Sequence, residues 1–250
     1  MAMTFAMETQ VWLQHPHISV VIPARNEAQN LRHVLPLIPS IVDEVILVDG
    51  HSTDDTITVA QQLLPSIHII KQEGKGKGEA LREGFAASTG DIIITLDADG
   101  SADPREILCF VAPLMAGSDF AKGSRFIKGG DSRDITFLRR LDNFWLNTLV
   151  NTLFLAGFSD LCYGYNAFWK RCLDYVKVDC DGSEVETLIN LRRHRAKLKI
   201  VEVASFEYSR MYGKSNLRKF RDGWRVLGTI LRERFAEASH QLPQRHNSGI

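Results

Sequence analysis

The sequence predicts an α/β fold, a doubly wound and mostly parallel central sheet with helices on both faces. Three observations predict it. Short β-branched runs (Ile18–Ile22, Glu44–Val48, Ile67–Lys71) alternate with helical patterns, the order that gives parallel strands and right-handed crossovers. A fourth run, Ile92–Leu96, is apolar throughout, as in a strand covered on both faces. The second and fourth runs end in aspartate, Asp49 and the pair Asp97 and Asp99, which puts polar chemistry at the carboxyl rim where open α/β sheets hold ligands.

Each element has its own signal. Pro23 is expected to end the first strand, and Asn26 or Glu27 to open a helix reaching about Leu37. Thr53 or Asp54 is a suitable N-cap for a helix through Leu64. Gly74-Lys75-Gly76-Lys77-Gly78 reads as a cationic loop opening a helix through Ala87, a pairing that suits phosphate but lacks the Walker A spacing. Pro104 occupies the first position of a helix through Met115. Phe120–Ser124 is a short strand, and 126–140 a glycine-rich mobile loop. Leu141–Phe158 is a helix with an asparagine stripe (Asn143, Asn147, Asn151) that packs on the sheet or lies at a membrane interface. Tyr163, Tyr165, Phe168 and Trp169 form either core or a wall around a sugar or isoprenoid. Glu184 and Glu186 open a helix through His194, Leu198–Val203 is the last strand, and Phe220–Phe235 is a basic amphipathic helix.

Composition narrows the function. The 250 residues suffice for one large domain, with 1–17 read as a disordered extension, 18–235 as the folded unit and 236–250 as a disordered tail. Thirty basic and thirty acidic side chains cancel, so no global field favours nucleic acid. The four cysteines are scattered without a CxxC pair, which argues against zinc and disulfides and suits a cytoplasmic location. No signal peptide or membrane span is read from the chain.

Asp97 and Asp99 at one strand end can share a hard divalent cation, which in turn can hold a diphosphate. An Asp-rich turn is the plainer reading of that triplet alone. The order of pieces is more specific. VVIPARNEAQNL, EVILVDGHSTDDT, GKGEALREGF, DIIITLDADGSADP, KGSRF, DLCYGYNAFWKR and VEVASFEYSRMYGKSNL resemble, in sequence, the family 2 inverting glycosyltransferases of GT-A fold. Within them the chain is similar to the dolichol-phosphate mannosyltransferase and polyprenyl-phosphate glycosyltransferase branch, over about residues 18–235.

The resemblance implies a nucleotide-sugar half at 18–125 and an acceptor half at 126–235. It implies that Pro23, Ala24, Arg25 and Glu27 line the base and ribose, that Asp49 contacts one of them, and that Lys77 sits near the nucleotide. Asp97, Ala98 and Asp99 would be the DxD-type motif, holding Mg²⁺ or Mn²⁺ chiefly through Asp99. Arg125, Arg210 and Lys214 would meet phosphates. The implied reaction moves a hexose from a GDP-mannose- or UDP-glucose-type donor to a polyprenyl phosphate, at the cytoplasmic face of a membrane. Were the acceptor instead a hydroxyl of a soluble or glycan molecule, Asp160, Glu184 or Glu186 would have to serve as base. The chain departs from the family pattern at Arg25, where many relatives carry Tyr, at Gly50 after Asp49, and at Ser101. A sugar nucleotidyltransferase would carry a Gly-rich loop after the first strand, where this chain has Pro23–Glu27, and a silent binding module would not need both Asp97 and Asp99.

Overall fold

The structure is a computed structural model that describes residues 15–133, 135–213 and 219–236. The strands are β1 (Ile18–Ala24), β2 (Glu44–Asp49), β3 (His68–Lys71), β4 (Ile92–Thr95), β5 (Phe120–Ser124), β6 (Asp131–Ser132), β7 (Asn166–Trp169), β8 (Ile200–Ala204) and β9 (Phe206–Glu207). The helices are α1 (Ala28–Val34), α2 (Thr56–Leu63), α3 (Lys77–Ala87), α4 (Ile107–Met115), α5 (Phe137–Phe154), α6 (Val185–Arg195) and α7 (Lys219–Phe235). One sheet runs β3-β2-β1-β4-β7-β5-β8, parallel except for β7, which is antiparallel to both β4 and β5. The expected α/β fold is the one observed.

Alternation along the strands sets the two layers. In β1, Val20 and Ile22 face a cluster with Leu31 and Val34 of α1, Val59 and Ala60 of α2, and Ile107, Phe110 and Leu114 of α4. Val21 faces the opposite cluster with Leu81 and Phe85 of α3 and Val185, Leu188 and Ile189 of α6. Because both faces are covered, β1, β2 and β4 read as continuous apolar runs rather than alternating ones. A third cluster joins Val150 of α5, Leu191 of α6, and Val226 and Ile230 of α7.

Several expectations need correction. β1 runs through Pro23 to Ala24, because the missing proline N–H costs only one ladder bond at the strand end. The segment 126–140 is not a bare loop: β6 pairs with β9, and α5 already begins at Phe137. α5 ends at Phe154, before the expected Phe158, where Leu155 takes a left-handed φ of 51°. Its asparagine stripe explains that stop. Asn151 Nδ2 donates to the Phe158 carbonyl at 2.9 Å, and Asn151 Oδ1 accepts from the Phe158 N–H at 2.9 Å. Asn147 Nδ2 donates to the Ser159 carbonyl at 2.7 Å. These side chains stand in for the ladder that the returning chain lacks. Tyr163, Tyr165 and Phe168 are buried, with Tyr165 stacked on Phe110 at 4.2 Å, so they are core and not a sugar-facing wall. The expected extension, apart from residues 15–17, and the tail from 237 lie outside the described residues.

Asn151→Ala removes both bonds to Phe158 and should lower stability by about 1–3 kcal/mol, read as a shift of the urea midpoint. An unchanged midpoint would mean that the α5 stop does not depend on this side chain.

Candidate active site

β4 and β1 are parallel neighbours, and β2 lies on the far side of β1. Asp49, the β1–α1 loop and Asp97–Asp99 therefore share one rim. Asn26, at φ 58°, ties the first two loops: its Oδ1 accepts from the Thr53 N–H at 2.7 Å, and its N–H donates to Ser52 Oγ at 2.9 Å. The N-cap of α2 is Asp55 rather than the expected Thr53 or Asp54, although Asp54 Oδ1 accepts from the Thr56 N–H at 3.1 Å. Asp49 is buried, with Oδ2 accepting from the Ser52 N–H at 3.3 Å and Oδ1 unpartnered among the described residues. Arg25 is exposed on the same loop, Pro23 is half-buried and Ala24 buried.

Both carboxylates at the end of β4 are held by cations of the chain itself. Lys77 Nζ lies 2.6 Å from Asp97 Oδ1 and 2.6 Å from Glu186 Oε1. Burial opposes its charge, but the two carboxylates outweigh that and raise its pKa well above the ordinary lysine value. Burial raises the pKa of Glu186. On the other side, Arg210 donates to Asp99 Oδ2 at 3.3 Å and forms a short ion pair with Glu27. Burial raises the Glu27 pKa, against the lowering by Asn30 and Arg210. Asn30 Nδ2 donates to Glu27 at 2.6 Å and to the Tyr212 carbonyl at 3.1 Å, so Arg210 and Tyr212 are pinned to α1. Met211 lies over Gly100, whose φ of 76° turns the chain after Asp99.

Four carboxylates (Glu27, Asp97, Asp99, Glu186) thus meet two cations (Lys77, Arg210), which leaves a formal charge of two negative. That balance and the hard oxygen donors fit a divalent cation held by one or two carboxylates and completed by a diphosphate and water. Among the described residues no cluster of three His, Cys, Asp or Glu forms a closed protein cage, which is the usual situation for Mg²⁺ at phosphates.

The glycines of 74–78 have a packing cause. A Cβ on Gly76 would stand 2.1 Å from the Asp181 carbonyl oxygen, and one on Gly78 2.2 Å from that of Cys180. The Gly78 N–H donates to the Asp181 carbonyl at 2.9 Å, so one amide at the start of α3 is already engaged. What this loop brings to the rim is Lys77. Gly164, within the aromatic-rich segment, has the same logic: a Cβ there would stand 2.8 Å from Lys77 Nζ and 2.6 Å from Glu186 Oε1. A glycine inside an aromatic strand run was the available signal.

A second cluster lies at the end of β5. Arg125 Nε donates to Asp160 at 2.7 Å, Nη2 donates to the other Asp160 oxygen at 3.0 Å, and Nη1 reaches Glu207 at 2.9 Å. Its guanidinium also stacks on Tyr163, 4.9 Å from the ring centre. Arg125 therefore faces two carboxylates rather than open space, and its pKa is raised because they outweigh the burial cost. Asp160 is fully buried, yet hydrogen bonds from Arg125 overcome desolvation and hold its pKa below the ordinary value. Glu184 is not brought to this rim: its Oε1 accepts from the Gly182 N–H at 3.3 Å, and its Oε2 lies 3.8 Å from Arg225. Glu186, two residues on, takes the place by Lys77. Glu207 was missed because its partner, Arg125, is distant in sequence. Lys214 lies outside the described residues.

The sequence profile described as "Glycosyl transferase family 2" matches residues 19–175, and the chain belongs to that family. Glycosyltransferase AglJ of Haloferax volcanii is 29% identical over 234 residues, which cover 90% of this chain and 73% of that protein. The dolichol-phosphate mannosyltransferase of Pyrococcus furiosus is 29% identical over 80% of this chain, which spans 59% of that protein's length. Among solved structures, glucosyl-3-phosphoglycerate synthase of Mycobacterium tuberculosis, in complex with Mn²⁺, UDP and glucosyl-3-phosphoglycerate, superposes with a TM-score of 0.69 at 25% identity, covering 87% of this chain and 80% of that one. The chain is accordingly a glycosyltransferase with a GT-A-like fold.

Arg125→Met would leave Asp160 buried without its cation and should cost about 3–5 kcal/mol at pH 7. In the wild type the depressed Asp160 pKa contributes stability above the unfolded carboxyl value, which is lost as pH falls through the folded one. In the variant the unpaired buried acid has a raised pKa, so the deficit should shrink on acidification towards pH 4. Urea unfolding at both pH values tests this, and a deficit independent of pH would contradict the pairing.

Proposed function

We propose that the protein transfers a hexose, with inversion, from a nucleotide-diphosphate donor of the GDP-mannose or UDP-glucose type to a polyprenyl phosphate. The observation that carries the donor reading is the paired carboxylate rim, Asp97 and Asp99, flanked by Lys77 and Arg210. A divalent cation bound to Asp97 and Asp99 would neutralise charge that builds on the departing diphosphate. Lys77, anchored by Glu186, would supply a point charge beside the diphosphate. Arg210, released from Asp99, offers its planar donor fork to a phosphate. Asp49, with its unpartnered Oδ1, is the acceptor group proposed for the base or ribose, beside Arg25 and the backbone of Pro23 and Ala24.

The acceptor reading rests on the state of the acids. Asp160 is bound by Arg125, Glu186 by Lys77, and Glu184 faces Arg225. Each proposed general base already has a cation beside it, so an acceptor that arrives ionised is favoured over a hydroxyl that must be deprotonated. The homology to dolichol-phosphate mannosyltransferase supports the same choice. A soluble acceptor is the second reading, favoured by the superposition on a synthase crystallised with phosphoglyceric acid.

The test is nucleotide diphosphate release by purified protein from GDP-mannose and UDP-glucose, with Mg²⁺ or Mn²⁺, with and without a short polyprenyl phosphate. Metal-dependent release that rises with the lipid is expected, and Asp99→Ala should lower it about 100-fold or more. Release unaffected by lipid but raised by phosphoglycerate would select the second reading.

A further inference from the structure

α5 and α7 lie side by side, and their inner faces meet in one buried cluster through Leu146, Leu149, Val150, Val226 and Ile230. Their outer faces are unusual. On α7, positions 221, 224, 225, 228, 231, 232 and 235 are all exposed and follow the helical repeat. They are Arg221, Trp224, Arg225, Gly228, Leu231, Arg232 and Phe235. Trp224 is 72% exposed and Phe235 78%. No acid stands on this stripe. Glu233 lies on the inner side, buried against Arg192 and Arg195.

The outer face of α5 adds Leu141, Phe144 and Trp145, with Leu155 just beyond its end. The polar positions between them make little demand on water. Thr148 Oγ1 donates to the Phe144 carbonyl at 2.8 Å, and Thr152 Oγ1 to the Thr148 carbonyl at 2.8 Å. Asp142 is the acid among these outward positions of α5. Among the described residues no helix is long and apolar enough to cross a membrane.

From these observations we infer that the outer faces of α5 and α7 form a docking surface for the headgroup layer of an anionic lipid bilayer. A stripe that alternates arginine with tryptophan, leucine and phenylalanine matches such a layer in both respects. Phosphates lie at its surface, and apolar chains begin a few ångströms below. Tryptophan prefers that boundary. An apolar protein partner would match the aromatic side chains but leave the arginine stripe unanswered, so charge complementarity selects the lipid surface. Arg232 pairs with Asp179 at 2.9 Å and Arg225 lies 3.8 Å from Glu184, so Arg221 is the arginine of the stripe most available to lipid.

The inference deepens the polyprenyl-phosphate reading, since it gives the enzyme a way to meet a lipid substrate, but its main readout, vesicle binding, needs no donor and no turnover. Full-length protein is sedimented with vesicles of phosphatidylcholine, with or without about one third phosphatidylglycerol. Binding to the anionic vesicles and a blue shift of tryptophan emission are expected. Trp224→Ser with Phe235→Ser should weaken partitioning about tenfold. Arg221→Gln should weaken it roughly fivefold, and less at high salt. Trp145→Ser, on the neighbouring helix, should also weaken it. Metal-dependent donor hydrolysis in solution by these variants should equal the wild type. Equal affinity for neutral vesicles, or binding unchanged by the substitutions, would overturn the inference. So would a dimer in sedimentation velocity that the same substitutions dissolve, because the face would then belong to a second copy of the chain.

Discussion

The constraint on which the site depends is the crowding of negative charge at the carboxyl end of β4. Asp97 and Asp99 lie one residue apart, and Glu186 and Glu27 approach them from either side. Without compensation such a group would be driven to take up protons. Lys77 and Arg210 supply the compensation, each bridging one aspartate to one glutamate. The bridges are also what joins distant parts of the chain. Lys77 couples α3 and α6 to the end of β4, and Arg210 couples the segment after β9 to the β1–α1 loop. The cancellation is incomplete, and the remaining negative charge is of the size that a divalent cation neutralises.

The two halves of the rim differ in how firmly they are fixed. Arg125, Asp160 and Glu207 form a buried, bidentate and aromatic-backed cluster between β5, the chain after α5, and β9. Releasing any member would strand a buried charge, so this cluster is a fixed post. The Arg210 bridge is different. Its contact with Asp99 is long at 3.3 Å, and the side chain is partly exposed. An arginine so placed can exchange a carboxylate for a phosphate at small cost, while Asn30 keeps its neighbour Tyr212 in place through two backbone contacts. Asp99 is therefore held more loosely by Arg210 than Asp160 is by Arg125.

Most of the donor side was legible because its elements are local. The run of isoleucines at Ile92–Ile94 followed by Asp97 declares a buried strand that ends at a polar rim, whichever layers cover it. The end of α3 at Ala87 was legible for the same reason. The far side was not. β7 enters antiparallel between β4 and β5, and nothing in its four residues states which neighbours it takes. The aromatic residues around it could be assigned to core only once Phe110 was seen to stack on Tyr165. The resemblance implies a phosphate role for Arg125, but its contacts with Asp160 and Glu207, 35 and 82 residues away, are not legible in the local sequence. The asparagine stripe of α5 was visible, but its purpose depends on a turn that the helical pattern ran through.

This division bears on what family membership can say. The matched profile ends at residue 175, and it contains Asp49, Lys77, Asp97, Asp99, Arg125 and Asp160. Glu186, Glu207, Arg210 and the whole of α7 lie beyond it. Those later residues decide how the rim is closed and which surface stands beside it. The part of the chain within the matched profile carries the Asp97–Asp99 rim, whose geometry strand ends fix. The later part is positioned by contacts between remote segments, such as Arg210 with Glu27 and Glu186 with Lys77. For this chain the elements beyond the profile include Glu207, which completes the buried salt-bridge post, Arg210 at the rim, and the arginine-tryptophan face of α7.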